Sequence, residues 1–473
     1  VDIVIIHTWL LTFKRGLGII QDGALGIEGD KIVYVGETSK CDYKSANIVI
    51  DGSNHVTMPG LVNAHTHTGL TLLRGCAQDV PEIEWMNKAL GPLARHMNTE
   101  DQILGSKLGV LEGLRSGTTT FSEYTGNVSE IIEKVYLPFH ARVVATETIN
   151  ETVKRENLGP KDLYEFDRSR GEKALRRTEA LFNKYNAEDM VTCLYGPQAV
   201  DMVSLETLKT VKELANERNC RIHMHVAQGE RERLQIKGRY ESTATTVTVL
   251  RNSDMLDNSL IAVHIHDTTV KERELLVKKD VKMVGCPSSI GVIDGIVPPL
   301  YHYINLGGTA GIGTDQAPGP GSHNMFREMR MASILSKVNW KDPAALPAWM
   351  SLQLGTVRGA EVLGLDKKIG TLQVGKKADV ITVNLFHPNL TPVITAPFRN
   401  FVSHLVYSTA GTEVDNVIIN GTLVMHNSTF TKIDEKTIMK EANAKAAKIF
   451  ERAEEDWKRA GSKFVEYIEK GWM

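Results

Sequence analysis

The chain predicts an α/β fold, a (β/α)8 TIM barrel carrying a small β-sandwich built from both chain ends. Three observations predict it. Eight short β-rich segments alternate with longer helical ones between residues 58 and 375, the pattern of a closed parallel barrel. Both flanks, 1–57 and 376–432, instead carry short strands and tight turns, and the last 41 residues, 433–473, are dense in charge with helical periodicity.

In chain order, the first flank breaks at Asp22-Gly23, Gly29-Asp30 and Asp51-Gly52, which are turn signals between strands. Barrel strands are expected at 60–65, 117–123, 141–147, 191–195, 221–226, 261–266, 281–285 and 309–313, with helices at 100–115, 172–184, 205–218 and 271–279 among them. A doubly wound open sheet is the alternative, but it commonly has fewer strands, and no Gly-x-Gly-x-x-Gly is present. The second flank holds Ala378–Val383 and 414–419, followed by Asn420-Gly421. Segment 435–470 reads as an amphipathic helix packed on the body.

Composition narrows the class. With 55 basic and 57 acidic residues the net charge is −2, which gives no bias toward nucleic acid or anionic membrane. The first residues, Val1-Asp2-Ile3-Val4-Ile5, do not read as a secretory signal, and no apolar run is long enough to span a bilayer. Five scattered cysteines without a Cys-x-x-Cys pair fit a reducing compartment. The expectation is a cytoplasmic protein with a small-molecule substrate.

Chemistry concentrates at the strand ends. Met58-Pro59-Gly60-Leu61-Val62-Asn63-Ala64-His65-Thr66-His67 places two imidazoles at i, i+2, on one face of a strand. Strand five carries His223 and His225, strand six His264 and His266, and strand eight runs into Asp315. Barrel active sites lie at the C-terminal strand ends. Imidazoles with one carboxylate suit zinc or a similar divalent ion.

These residues carry a resemblance. The chain resembles the amidohydrolase superfamily, in the branch of cytosine deaminase, S-adenosylhomocysteine deaminase, guanine deaminase and the s-triazine hydrolases. The matching segments are 23–36, 59–73, 117–120, 313–330, 370–383 and 420–424. The Pro-Gly-x-x-x-x-His-x-His element, Gly313-Thr314-Asp315 and Gly375-Lys376-Lys377-Ala378-Asp379 are its most specific parts. The resemblance implies one divalent metal per chain, zinc first and iron, manganese or cobalt with the same donors. Its implied ligands are His65, His67, His225 and Asp315, with His264 beside the metal-bound water. His223 and His266 fall outside the site or behind it. Strand four offers no lysine for a bridged pair of metals, although Cys193 or Glu147 facing the barrel would open a second site. A homo-oligomer is also implied.

The chain departs from that pattern three times. Deaminases of the branch carry His-x-x-Glu where this chain has His225-Val226-Ala227-Gln228. Glutamine has no titratable proton near neutral pH, and losing a general acid–base group commonly costs on the order of 10²–10⁴ in rate. Pro-His becomes Pro197-Gln198, and the His-Asn-Pro or His-Cys-Pro of strand seven becomes Gly285-Cys286-Pro287, its thiol read as buried and inert. The expected activity is therefore attack by a metal-bound hydroxide on a urea, carbamate, thiocarbamate, amide or s-triazine, breaking a non-peptide C–N or C–S bond, with catalytic roles for Asp315, His264 and Gln228. The alternative is a true aminohydrolase of a purine, pyrimidine or s-triazine, with Glu230 or Glu123 supplying the acid. A non-catalytic metal-binding protein is the remote third reading. Segment Pro81-Glu82-Ile83-Glu84-Trp85-Met86 resembles the family loop over the pocket. Trp85, Met86, Gln198 and His323 are the expected substrate contacts, with a helix-core role equally open to Trp85 and Met86.

Overall fold

The computed structural model describes residues 1–80, 82–153 and 161–472; Pro81, first residue of the expected pocket loop, lies outside them. Eight parallel strands follow one another round the barrel: Leu61–Thr66, Thr118–Thr125, Arg142–Ile149, Val191–Pro197, Ile222–Val226, Leu260–His264, Lys282–Gly285 and Ala310–Ile312. Each pairs in parallel with the next. A parallel bridge between Thr66 and Asp315 closes the last strand on the first. Gly313 permits that closure, because a Cβ there would stand 2.5 Å from the His65 backbone nitrogen and oxygen.

Helices cap themselves where the sequence supplies the chemistry. Asn98 and Asp101 form a reciprocal capping box at the start of Thr99–Arg115, and Ser204 accepts from Thr207 N at the start of Leu205–Arg218. Strand six ends at His264, two residues earlier than expected. His264 and Ile265 both take positive φ, 80° and 47°, and break the alternation. Ala227 and Asp315 do the same after strands five and eight, at 51° and 59°. Backbone held in this costly region clusters at the barrel's C-terminal mouth, as is common at functional sites.

Both chain ends build one separate nine-stranded mixed sheet. The strand His55–Pro59 joins the halves, antiparallel to Val380–Asn384 with Thr57 opposite Thr382. Met58 and Pro59 thus pair in the flank sheet rather than opening the barrel. Ile3, Ile5, Leu25 and Ile27 from one end share a core with Val380 and Ile418 from the other, which is how two distant segments become one layer. The final long helix, Glu435–Ala460, buries Ile438, Ala442, Ile449 and Ala453. It also lays Lys445 and Arg452 against the buried Asp101 carboxylate at 3.1 and 3.2 Å. No described helix is long and apolar enough to cross a membrane.

Candidate metal centre and its pocket

Four strand ends deliver histidines and a carboxylate to one point. Two overlapping triads have potential ligand atoms within 4.8 Å of one another: His65, His225 and His264, and His65, His67 and Asp315. His65 belongs to both. Asp315 Oδ1 lies 3.4 Å from His67 Nε2 and 3.7 Å from His65 Nε2, because the closing bridge puts strand eight beside strand one.

The hydrogen bonds fix which nitrogens face inward. His67 Nδ1–H donates to the Tyr124 carbonyl at 2.6 Å, and His225 Nδ1–H to the Gln198 carbonyl at 2.9 Å. Each Nε2 lone pair is left free. His65 Nδ1 and His223 Nε2 are 3.0 Å apart, and His223 Nδ1 reaches Ser122 and Thr146 hydroxyls at 3.3 Å. With Nδ1 as donor, His65 presents Nε2, an atom buried without a hydrogen-bond partner. His264 Nδ1 is likewise buried and unpartnered. Burial pushes His65, His223 and His264 well below the usual imidazole range and His225 down to about 3, with neighbouring imidazoles adding to it. Burial pushes the Asp315 carboxyl up against the pull of His67, while Ser289 donates to Oδ2 at 2.5 Å. Neutral imidazoles, orphaned ring nitrogens and one carboxylate fit a first-row divalent ion.

The other expected residues divide. Gln198 stands near the mouth, its Oε1 held by Asn150 at 2.6 Å, and Gln228 is partly buried there. His323 is turned away: it is fully buried, its Nδ1 near Thr66 and Thr314 hydroxyls at 3.1 and 3.2 Å and its Nε2 near Thr71 at 2.9 Å. Trp85 packs with Leu72, Leu90, Leu93 and Ile449 in a satellite core, with Met86 against it. Of the expected substrate contacts, His323 thus sits among threonine hydroxyls and Trp85 in a satellite core, the helix-core role left open for it by the sequence. Glu230 is exposed on the next helix, and Glu123 is tied to Thr68 and, at 2.6 Å, to Tyr136. Glu147 turns outward to Arg177 at 2.6 Å, and Cys193 points at the Leu181 carbonyl on a covering helix. Cys286 is fully buried, with burial pushing its thiol up.

Comparison with known proteins decides the family. The model of the amidohydrolase family matches residues 56–424. The chain belongs to the amidohydrolase family. It is 32% identical over 96% of its length, and 99% of the relative's, to a 5'-deoxyadenosine deaminase of Methanosarcina acetivorans. It is also 32% identical, over 95% and 99%, to a 5-methylthioadenosine/S-adenosylhomocysteine deaminase of Pelotomaculum thermopropionicum. Among solved structures it resembles a zinc-bound adenosine deaminase from Xanthomonas campestris, with TM-score 0.86, 25% identity and coverage of 95% and 98%. A zinc complex of atrazine chlorohydrolase from Arthrobacter aurescens shares the fold, at TM-score 0.83, 20% identity and coverage of 94% and 100%.

As an amidohydrolase the chain is an enzyme acting on carbon–nitrogen bonds other than peptide bonds. Three residues of its site escaped the sequence reading. Tyr124 packs its ring on His65, His67, His223 and His225 and donates to the Gly196 carbonyl at 2.8 Å. Ser289 steers Asp315. Asp294, after strand seven, approaches His266 at 3.6 Å. Strand alternation would have found Tyr124; Ser289 and Asp294, in and at the end of the short helix Pro287–Ile293, carry no comparable signal.

Proposed function

We propose that this amidohydrolase is a zinc-dependent aminohydrolase. In this reading it replaces an amino substituent by oxygen on an electron-poor ring carbon of an adenosine-type or related nitrogen heterocycle. End-to-end similarity to curated deaminases is the observation that carries the reading, and the converging donors support it. His65, His67, His225 and Asp315 would hold the ion. Bound zinc would lower the pKa of a water and act as a Lewis acid. His67 and His225 are held in the ligating tautomer by backbone carbonyls. Asp315, steered by Ser289, is the carboxylate placed to accept a proton and pass it to the leaving nitrogen. His264 orients the nucleophile through its unpartnered nitrogen.

Gln228 favours a second reading. Its carboxamide can position a substrate but cannot carry a proton. That suits a urea, carbamate, thiocarbamate, amide or s-triazine whose leaving group needs less protonation. Mass spectrometry of products from zinc-loaded enzyme with a mixed panel separates the two. Exchange of an amino group for oxygen on an intact ring supports the first reading. A urea or carbamate split into two fragments replaces it with the second. No turnover of any aminated ring, urea or carbamate sinks both.

A further inference from the structure

Beside the metal donors lies a second polar cluster with no part in the scheme above. His266, Asp294 and Glu82 come from three separate segments and meet over Gly229. A Cβ on Gly229 would lie 3.1 Å from Asp294 Oδ1, 3.5 Å from His266 Nε2 and 3.7 Å from Glu82 Cδ. The residue there has φ +123°, a conformation for glycine, and a side chain would crowd the three groups.

The cluster is not internally satisfied. The His266 side chain is 0% exposed, yet neither ring nitrogen makes a hydrogen bond. Its nearest charged neighbour is Asp294 Oδ1 at 3.6 Å, beyond hydrogen-bond distance. The Asp294 side chain is 5% exposed. Burial pushes the Glu82 carboxyl up against the pull of Arg231. Arg231 does not neutralise the cluster, because its guanidinium is committed to Asp201 and Tyr164. Buried polar groups left in this state are costly unless something pairs with them.

The same carboxylates open on a cavity of about 350 Å³, lined also by Asp79, Ile293, Lys463 and Tyr467. Lys463 is exposed and forms no ion pair with them among the described residues. The His266 ring lies 6.1 Å, centroid to centroid, from that of His264. The carboxylate cluster thus adjoins the metal donors through this pair of rings.

We propose that Asp294 and Glu82, with His266, form the anionic end of the substrate pocket and select substrates bearing an organic cation, an ammonium, amidinium or guanidinium. The inference rests on the hydrolytic reading only in taking the metal donors as the reacting end. A cationic nitrogen in this corner donates to two carboxylates and to the free imidazole nitrogen, the stronger charge-assisted kind of hydrogen bond. A second metal ion is the competing occupant. Its donors do not close on one point, since the groups of ligand atoms within 4.8 Å among the described residues are the two triads around His65.

The test is binding of benzylammonium against benzyl alcohol, its neutral isostere, to zinc-loaded enzyme by calorimetry. Benzylammonium is expected to bind about tenfold tighter, as one charge-assisted bond against a neutral one gives. Asp294→Asn and Glu82→Gln should each remove most of that preference while zinc content stays at one per chain. Equal binding of the two probes overturns the proposal, as does a preference that survives both substitutions. Two zinc ions per chain, one lost in Asp294→Asn, overturns it in favour of a metal. Cation preference without turnover of any panel compound leaves this pole standing and removes the hydrolytic reading. Turnover of panel compounds without cation preference does the reverse.

Discussion

His223 Nε2 stands 3.0 Å from His65 Nδ1, so a histidine outside both candidate triads sets the tautomer of the ring they share. Partners of this kind fix ring orientation and raise ligand basicity. His223→Ala is expected to weaken zinc binding about 10–100-fold. Competition with a calibrated chelator measures this; an unchanged affinity would show that His65 is held by packing alone.

The glutamine after strand five offers the most direct functional test. Under the aminohydrolase reading, Gln228→Glu restores a proton carrier and should raise kcat on an aminated ring by about 10²-fold or more. A rate equal to that of the wild type would mean that Asp315 already moves every proton the reaction needs.

His323 makes a stability prediction with a definite sign. Burial lowers its pKa to about 4 from the model-peptide 6.5. Between those values the unfolded chain takes up a proton that the folded one refuses, so folding weakens as pH falls from about 6.5 toward 4. The full linkage is about 3 kcal/mol. The difference in unfolding free energy between wild type and His323→Asn should shrink by that order across the window. A difference independent of pH would contradict a buried neutral ring.

Trp85 separates packing from recognition. Trp85→Ala should cost about 3–5 kcal/mol and lower Tm. Because Nε1 is buried without a partner, Trp85→Phe gives up no hydrogen bond and should cost under about 1.5 kcal/mol. A large rise in KM for the Phe variant, with Tm unchanged, would return Trp85 to the substrate.

The barrel and the polar residues gathered at its mouth were legible in the sequence because both obey periodic rules. Strand alternation placed His65 and His67 together, and β–α alternation placed Asp315 at the eighth strand end. Legibility ended where periodicity stops. His266 sits past a positive-φ break that ends its strand early. His323 follows a Gly-Pro-Gly-Ser run, and only the fold reveals that it turns inward to three threonines. Trp85 satisfies a pocket motif and a helix core equally well, and the terminal helix that covers its core lies more than 300 residues away in sequence.

The Thr66–Asp315 seam gives the metal a role in time as well as in chemistry. Thr66 Oγ1 donates to the Asp315 carbonyl at 3.1 Å across a sequence separation of 249. Under the proposed ligand set, donors on both sides of that join come together only once the eighth strand has docked. Tight capture of the ion therefore reports that the ring has closed, and a nascent chain lacking its eighth strand has no complete set of donors to offer. Held by donors of the first and eighth strands, the ion would act as a latch across that separation. Opening at the seam, where a single bridge replaces a full ladder, must then break coordination first.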